Sequence, residues 1–467
     1  MVNLVDVFLR RASAGFALWL VISLLGLSGP AAQAGERLRL NPSPGLVHHP
    51  GRSQSYGLAV VGTDLYVAWL GRHAFGVHVF VSRVDLNDFT IQETLQLSQG
   101  KGATSKGGRQ FPDVMEIQGE VYISWMDRGQ RQRRPWHSVN LLSLSEFRQG
   151  GKPHVFEFGK YTGSPRLVKT SQGPFLLGFS QNMGESDWRI RLYRKSGKGW
   201  LAVEVLNQES YRGRDPWLVD GSEGLSLFWV WGSRIFRSRS ANGETWSEPQ
   251  VLVEQDQRVD SLQVAAFQKG FDLAWVEQDR EGADVWVHHF DPSIRSEPQA
   301  VVQLIGAIVE ISQCRDKKSE HRVIAYSYTG IEEAGRVIGV ASEREDWAVR
   351  ALTAPEPRFA GSPVPLVYQG GGNLYVAWSF HPRATHLPQA ESLFVAALDG
   401  VDLGEVQPMP IGGRELQTVD STPKLWQFRD ELYVSYFSSR AVLGGIVLTR
   451  GDLYLEKVEL LREARGE

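Results

Sequence analysis

The chain has 467 residues, and its 50 Lys and Arg against 53 Asp and Glu give a formal net charge of −3 at pH 7. This weakly acidic balance argues against a nucleic-acid partner, because contacts to phosphate groups need a basic surface. Cys314 is the only cysteine, which excludes an intrachain disulfide and a cysteine-based metal site.

The first 34 residues predict a cleaved export signal. Arg10 and Arg11 precede an almost wholly apolar stretch at 15–27, and the A-x-A site at 32–34 places cleavage before Gly35. An uncleaved membrane anchor is the alternative, but the apolar stretch falls short of the about 20 residues that span a bilayer. We therefore expect a periplasmic or secreted mature chain with no stable membrane span, consisting of an N-terminal extension at 35–50 and a single domain at 51–467.

A pattern of about fifty residues then recurs along the chain. In the clearest copies a small or charged residue precedes Pro and a short apolar run, and after a turn comes an alternating strand that ends in an aromatic residue. Three copies lack the Pro. The eight copies are 56–60 with 65–69, 111–114 with 121–125, 164–168 with 175–179, 215–219 with 225–229, 262–266 with 271–275, 307–311 with 323–328, 362–363 with 374–378 and 422–425 with 432–436.

Two further strands follow in each copy, for example 77–84 and 90–97 in the first, and 393–397 and 405–408 in the seventh. We expect Pro to open each first strand, because a ladder cannot use Pro in its middle. Four antiparallel strands repeated around a circle predict an all-β propeller of eight blades. Seven blades is the alternative if the sixth copy, interrupted by charge at 317–321, is an insertion. A pair of β-sandwiches is the competing architecture.

The segment Ser240-Ala241-Asn242-Gly243-Glu244-Thr245-Trp246 resembles the Asp-box (BNR repeat) of the sialidase-like propeller superfamily, whose pattern is S-x-D-x-G-x-T-W. Gly243, Thr245 and Trp246 match, whereas Ala241 occupies the position of the defining Asp. The role implied for these residues is structural, in the turn between the third and fourth strands of a blade. The resemblance implies the propeller fold and, through sialidases, a glycosidase activity as one candidate function.

In a propeller the loops before the first strands and the hairpins after the second strands share one face. Guanidinium groups there can capture carboxylates, sulfates or phosphates bidentately. The candidate ligand-binding residues are Arg109, Arg214, Arg258, Arg358, Tyr161 and Tyr211. Asp127 and Glu277, at the ends of second strands, are candidate catalytic residues, because a glycosidase needs two carboxylates. For each residue the alternative is a loop ion pair worth at most about 1 kcal/mol.

Two functional hypotheses follow. The first is a binding scaffold whose channel mouth takes an anionic carbohydrate or a protein partner, and the second is a sialidase-like glycoside hydrolase that acts on a sugar acid. We expect no metal and no cofactor. The pairs His48-His49 and His288-His289 point to opposite faces of a strand, and no zincin, serine-hydrolase or P-loop motif is present.

Overall fold

A computed structural model describes most of the chain between Arg37 and Val458, which form one compact unit. The predicted export signal, Tyr211 and Arg358 lie outside the described residues. The described residues are 37–41, 47–48, 56–73, 76–98, 109–131, 134–159, 161–162, 165–181, 188–197, 199–203, 212–279, 282–291, 296–315, 319–330, 336–352, 366–370, 373–379, 393–398, 409–411, 418–442 and 446–458.

Strands dominate the fold. The first half contains β1 (Arg37–Arg39), β2 (Val47–His48), β3 (Tyr56–Val61), β4 (Asp64–His73), β5 (Gly76–Asp85), β6 (Thr90–Gln96), β7 (Arg109–Ile117), β8 (Glu120–Arg131), β9 (Arg134–Ser143), β10 (His154–Gly159), β11 (Tyr161–Thr162), β12 (Arg166–Thr170), β13 (Gly173–Gln181), β14 (Trp188–Ser196), β15 (Gly199–Ala202), β16 (Arg214–Gly221), β17 (Gly224–Trp231), β18 (Arg234–Ser240) and β19 (Gln250–Glu254).

The second half contains β20 (Val259–Phe267), β21 (Gly270–Gln278), β22 (Ala283–Phe290), β23 (Gln299–Leu304), β24 (Gly306–Arg315), β25 (Arg322–Gly330), β26 (Arg336–Ser342), β27 (Ala348–Ala351), β28 (Leu366–Gly370), β29 (Asn373–Ser379), β30 (Leu393–Ala397), β31 (Met409–Ile411), β32 (Thr418–Phe428), β33 (Glu431–Val442) and β34 (Ile446–Lys457). The helices described are α1 (Leu144–Arg148), which a Ser143–Glu146 capping box begins, and a 3-10 turn at Glu343–Glu345. Neither is long and apolar enough to cross a membrane.

The strands form eight blades of four antiparallel strands, which confirms the predicted fold and blade number. Blades 1 to 7 begin with β3, β7, β12, β16, β20, β24 and β28. The eighth blade contains β32, β33 and β34, and β1 pairs with β34 as its fourth strand. The first strands of neighbouring blades contact one another, so they form the innermost layer around the central channel. In blade 7 the fourth strand is Met409–Ile411, whereas 405–408 lies outside the described residues.

The two ends of the domain are joined by hydrogen bonds. β1 pairs with β34 from Arg37 to Arg39, and the Leu40 N–H donates to the Leu453 carbonyl oxygen at 2.8 Å. Asn41 continues the junction, because its side chain accepts from the Leu453 N–H and donates to the Asp452 carboxylate. A strand from the region predicted as the N-terminal extension therefore completes the last blade.

A β-bulge explains why Pro and an aromatic residue recur in the sequence. In four first strands, two residues face one residue of the second strand, and that residue is aromatic. The facing sets are 111–112 with Trp125, 215–216 with Trp229, 261–262 with Trp275, and 422–423 with Tyr436. Three of these bulges contain Pro. The expectation that Pro opens the strand is wrong for these blades, because a bulge residue leaves the ladder and needs no N–H donor.

Tryptophans of the second strands fill the space within and between blades. Five of them are fully buried, and four stack on an aromatic residue of the third strand. The buried tryptophans are Trp69, Trp125, Trp229, Trp275 and Trp378. Because a buried Trp carries one of the largest apolar surfaces available to a side chain, this repeated position anchors the blades and fixes the geometry of the channel.

Candidate functional site

A pocket of about 300 Å³ opens where blades 3, 4 and 5 meet, at the end of the blades where the first strands begin. We call it the mouth pocket. Trp188 begins β14, Arg214 begins β16, Trp231 ends β17, and Arg258 immediately precedes β20. Its lining residues are Trp188, Gly213, Arg214, Val230, Trp231, Gly232 and Arg258. The pocket thus combines two indole rings with two guanidinium groups.

The wall of the mouth pocket depends on Gly213. Its N–H donates to the Trp188 carbonyl oxygen at 2.7 Å, which ties blade 3 to blade 4. A Cβ at this position would lie 2.4 Å from Cδ1 of Trp229 and 2.6 Å from the Val230 oxygen. Only glycine allows this close approach. Trp231 remains 45 % exposed, which is unusual for an indole ring and leaves much of it facing solvent.

Asp260 holds the two arginines of the mouth pocket together. The Arg214 guanidinium binds the Asp260 carboxylate and also donates to the Val259 carbonyl oxygen at 3.2 Å. Arg258 Nε lies 3.4 Å from the other Asp260 oxygen. The Arg214 side chain is 24 % exposed and the Arg258 side chain 63 % exposed. Arg214 is therefore fixed by its partners, whereas most of Arg258 is accessible to a ligand.

Five charged side chains of the innermost strands form a second cluster, which we call the channel belt. Its members are Lys424 of blade 8, Asp113 of blade 2, Arg166 of blade 3, Asp215 of blade 4 and Glu310 of blade 6. Asp113 interacts electrostatically with Lys424 and Arg166, and Asp215 with Arg166 and Glu310. Blade 1 lies between Lys424 and Asp113, and blade 5 between Asp215 and Glu310, so these interactions act across the channel.

The channel belt is crowded by protein and still touches water. Burial raises the pKa values of Asp113, Asp215 and Glu310 above their ordinary range, and for Glu310 the charge of Asp215 adds to the shift. The Arg166 side chain is nevertheless exposed to solvent. Gly57 of blade 1 makes room for this arrangement, because a Cβ there would lie 2.6 Å from the Cα of Asp113.

The β-bulge of blade 4 connects the channel belt to the mouth pocket. Asp215 has a φ of 51°, a left-handed conformation that Asp and Asn adopt more readily than most residues. Arg214, the preceding residue, lines the pocket, and its Nε lies 3.9 Å from the Asp215 carboxylate. Charges therefore alternate in sign from Lys424 through the belt to Arg258 (Lys424, Asp113, Arg166, Asp215, Arg214, Asp260, Arg258).

The two candidate catalytic carboxylates lie on blades that are not neighbours. Asp127 of β8 is half-buried, and its backbone pairs with that of Arg109 in blade 2. Glu277 of β21, in blade 5, is buried and accepts the Gln257 N–H at 3.1 Å. Burial raises the pKa of Glu277, while the bond from Gln257 lowers it. Within the described residues, no group of three or more His, Cys, Asp or Glu could hold a metal ion.

Of the six predicted ligand-binding residues, only Arg214 and Arg258 lie close together within the part of the chain that the structure describes. Arg109 and Tyr161 lie in β7 and β11, but their side chains are outside the described set. The residues predicted from the sequence did not include Trp188, Trp231 or most of the channel belt. A signal existed, since the residue after Pro in three aligned copies is charged: Asp113, Arg166 and Lys424.

The Asp-box-like segment forms a turn between β18 and β19. Asn242 Oδ1 accepts hydrogen bonds from the backbone N–H groups of Glu244 and Thr245 at 2.9 and 3.0 Å, and from the Thr245 hydroxyl at 3.2 Å. Gly243 has a φ of 72°, and Trp246 packs against the core between blades 3 and 4. Asn242, the residue after the Ala241 that occupies the position of the defining Asp, therefore supplies the side-chain acceptor of this turn.

Comparison with known proteins identifies no family for this chain. No family model matches the chain, and no curated protein matches it. Similar solved structures include the polysaccharide lyase Uly1 (9 % identity, TM-score 0.48, covering 91 % of this chain and 99 % of that one) and Sqt1 of Chaetomium thermophilum (9 %, 0.49, 89 % and 98 %). The NanB sialidase of Streptococcus pneumoniae is another (10 %, 0.35, 93 % and 72 %). At these identities and TM-scores, no function follows from the likeness.

Proposed function

We propose that this protein is a binding propeller that holds an acidic saccharide in the mouth pocket. The proposal rests on one observation, which is that two tryptophans and two arginines line the same pocket (Trp188, Trp231, Arg214 and Arg258). Ligand pockets commonly combine apolar, often aromatic walls with a few polar groups that fix orientation. An indole ring offers an apolar face to a sugar ring, and a guanidinium binds a carboxylate or sulfate through two hydrogen bonds.

The two arginines would play different parts. Arg258, with its side chain 63 % exposed, would bind the acidic group of the ligand. Arg214, fixed by Asp260 and the Val259 carbonyl oxygen, would supply positive potential at the base of the pocket and keep Asp260 in place. The volume of about 300 Å³ lies at the small end of the range for ligand pockets. It therefore favours one or two sugar units over a long internal segment.

The hydrolase alternative has less support. It requires three guanidinium groups at one point with a carboxylate close by, whereas Arg214 and Arg258 already share Asp260. The raised pKa of Glu277 favours the hydrolase, because a raised pKa suits a general acid. Because Asp127 belongs to blade 2 and Glu277 to blade 5, a pair of acids made from these two residues is not expected.

Export to the periplasm or the cell exterior is part of the proposal. Cleavage before Gly35 would leave Gly35 and Glu36 ahead of β1, which begins at Arg37. The strand that completes blade 8 would therefore survive processing. The test is fractionation of cells that express the whole chain, followed by sequencing of the mature N-terminus. A mature chain that begins beyond Arg39 would contradict this part of the proposal.

A glycan array probed with the purified chain 35–467 tests the binding function. The array carries sialylated, uronate-containing, sulfated and neutral glycans. We expect binding to acidic glycans and a loss of about tenfold or more in affinity for Trp231→Ala and for Arg258→Ala, since each removes a direct contact. Binding of neutral glycans with equal affinity would contradict the role given to Arg258.

Two matched controls come from the same blade. Arg239, near the end of β18 that lies away from the mouth pocket, is an exposed arginine with one carboxylate partner, Glu223. Val251 is an exposed apolar residue of β19. Arg239→Ala and Val251→Ala should bind as the unchanged protein does. Release of fluorophore from 4-methylumbelliferyl glycosides, lost in Glu277→Gln, would favour the hydrolase, and absence of binding to every glycan would refute the saccharide proposal.

A further inference from the structure

The mouth pocket and the channel belt together contain four cationic side chains and four carboxylates. Their cations are Lys424, Arg166, Arg214 and Arg258, and their carboxylates are Asp113, Asp215, Asp260 and Glu310. Glu310 differs from the other carboxylates, because the charged group acting on it is another carboxylate, Asp215. Asp215 and Glu310 therefore place two like charges in the channel, and Asp215 directly follows the pocket residue Arg214.

We propose that the charge of the channel belt regulates the mouth pocket, so that neutralising Asp215 and Glu310 tightens the binding of anionic ligands. The inference rests on the proposed binding function and adds its regulation. Its physical basis is the position of Asp215, which directly follows the pocket residue Arg214 in the β-bulge and lies 3.9 Å from it. A negative charge there partly cancels the positive potential that Arg214 presents to a ligand.

The groups around Asp215 determine the direction of the pH response. Arg166 approaches from β12, Asp260 and Arg258 from the start of β20, Glu310 from β24, and Arg214 from its own strand. The neighbouring strands β13 and β17 contain no charged residue, and β14, which also packs against β16, carries only basic ones (Arg189, Arg191, Arg194 and Lys195). The arginines stay protonated throughout the physiological range. Of the groups that act on Asp215, only the carboxylates can therefore change charge on mild acidification.

The direction in which ligand affinity changes with pH follows from the raised pKa values of Asp215 and Glu310. Burial raises the pKa of Asp215 and of Glu310, and their mutual repulsion adds to the shift of Glu310. These two side chains consequently take up protons at a higher pH than ordinary carboxylates do. As the pH falls, protonation of Asp215 and Glu310 removes negative charge from the cluster while Arg258 keeps its charge. An anionic ligand should then bind more tightly, and a neutral ligand should not respond.

Isothermal titration calorimetry with chondroitin 4-sulfate tetrasaccharide tests this inference, with lactose as a neutral probe. The sulfate esters stay ionised throughout, so the ligand charge is nearly constant. Between about pH 8 and about pH 5 we expect the affinity for the sulfated probe to rise about fivefold, as Coulomb's law gives for one or two charges removed at about 10 Å in a partly screened site. The experiment uses the whole mature chain in buffers of equal ionic strength.

Asp215→Asn is the decisive variant. Asn tolerates the left-handed backbone at this position, so the bulge should form, and the binding at pH 8 should be tightened toward the value of the unchanged protein at pH 5. Glu310→Gln should act in the same direction and provides a second route if Asp215→Asn folds poorly. The control is Asp220→Asn, which removes the same charge at the other end of β16, where Asp220 binds Ser171.

The possible outcomes separate the two proposals. Tighter binding at low pH that is flattened by Asp215→Asn and Glu310→Gln, and kept by Asp220→Asn, supports the regulation. Binding of the sulfated probe with the same pH response in all variants, or with none, overturns the regulation and leaves the binding function standing. A failure of acidic saccharides to bind at any pH overturns the binding function and the regulation together.

Discussion

Asn41 should be among the most sensitive single positions for stability, because it joins the two ends of the domain. The residue is 1 % exposed. Its Nδ2 donates to the Asp452 carboxylate at 2.7 Å, and its Oδ1 accepts from the buried Leu453 N–H at 2.9 Å. The substitution Asn41→Ala removes both bonds and deprives the Leu453 N–H of this acceptor.

The expected loss is about 3 kcal/mol in the free energy of unfolding. A hydrogen bond to a charged group contributes about 1.5–3 kcal/mol, and a buried donor left without an acceptor costs about 1–3 kcal/mol. Part of this loss is recovered if water reaches the site, so the sum is not simply additive. Urea unfolding followed by tryptophan fluorescence measures the change as a lower midpoint with an unchanged slope.

An exchange of the two side chains provides a rescue. In the double variant Asn41→Asp with Asp452→Asn, a carboxylate at position 41 can accept from the Leu453 N–H and from the new amide, which restores most of the stability. Gln92→Ala on the exposed face of β6 is the control and should change the free energy of unfolding by less than about 0.5 kcal/mol. If Asn41→Ala costs less than about 1 kcal/mol, the side-chain hydrogen bonds of Asn41 do not hold the two ends of the domain together.

Three further results are expected. Arg237 is 2 % exposed, hydrogen-bonds to the Ser226 hydroxyl between three phenylalanine rings, and its burial lowers its pKa to about 10. Since the fold disfavours the charged form, Arg237→Met should raise stability at neutral pH by about 1 kcal/mol. The gain should shrink as the pH rises above about 10, where the folded arginine deprotonates, and a destabilised variant in urea unfolding would show that the cation–π contacts dominate. Gly213→Ala should cost about 2–3 kcal/mol, because its Cβ would overlap Trp229 and the Val230 oxygen, and should abolish saccharide binding; full binding by this variant would contradict the assignment of the mouth pocket. Asn242→Ala should cost about 1 kcal/mol, whereas Asn242→Asp, which keeps the acceptor, should cost less; equal losses in thermal unfolding would count against the capping role.

The sequence predicted the repeated elements well because their signals are local. Turn residues, alternating strands and a closing aromatic residue recur in every copy, and eight copies gave eight blades. The position of Pro within the first strand was predicted wrongly, because the sequence of one strand does not show which residues of the neighbouring strand it pairs with. The bulge appears only when Pro216 is paired against Trp229 across the ladder. The role of Asn242 was not predicted for a similar reason, because the backbone N–H groups that it accepts are brought to its side chain only by the folded turn.

The sequence by itself determined that this chain builds four-stranded units, and it supplied arginines near the start of the first strands. Only the tertiary structure decided which charges meet. Arg214 and Asp260 are 46 positions apart, and Asp113 and Lys424 are 311 positions apart, yet the closed ring brings each pair together. Such contacts arise from long-range packing of whole blades, and no local pattern of residues specifies them.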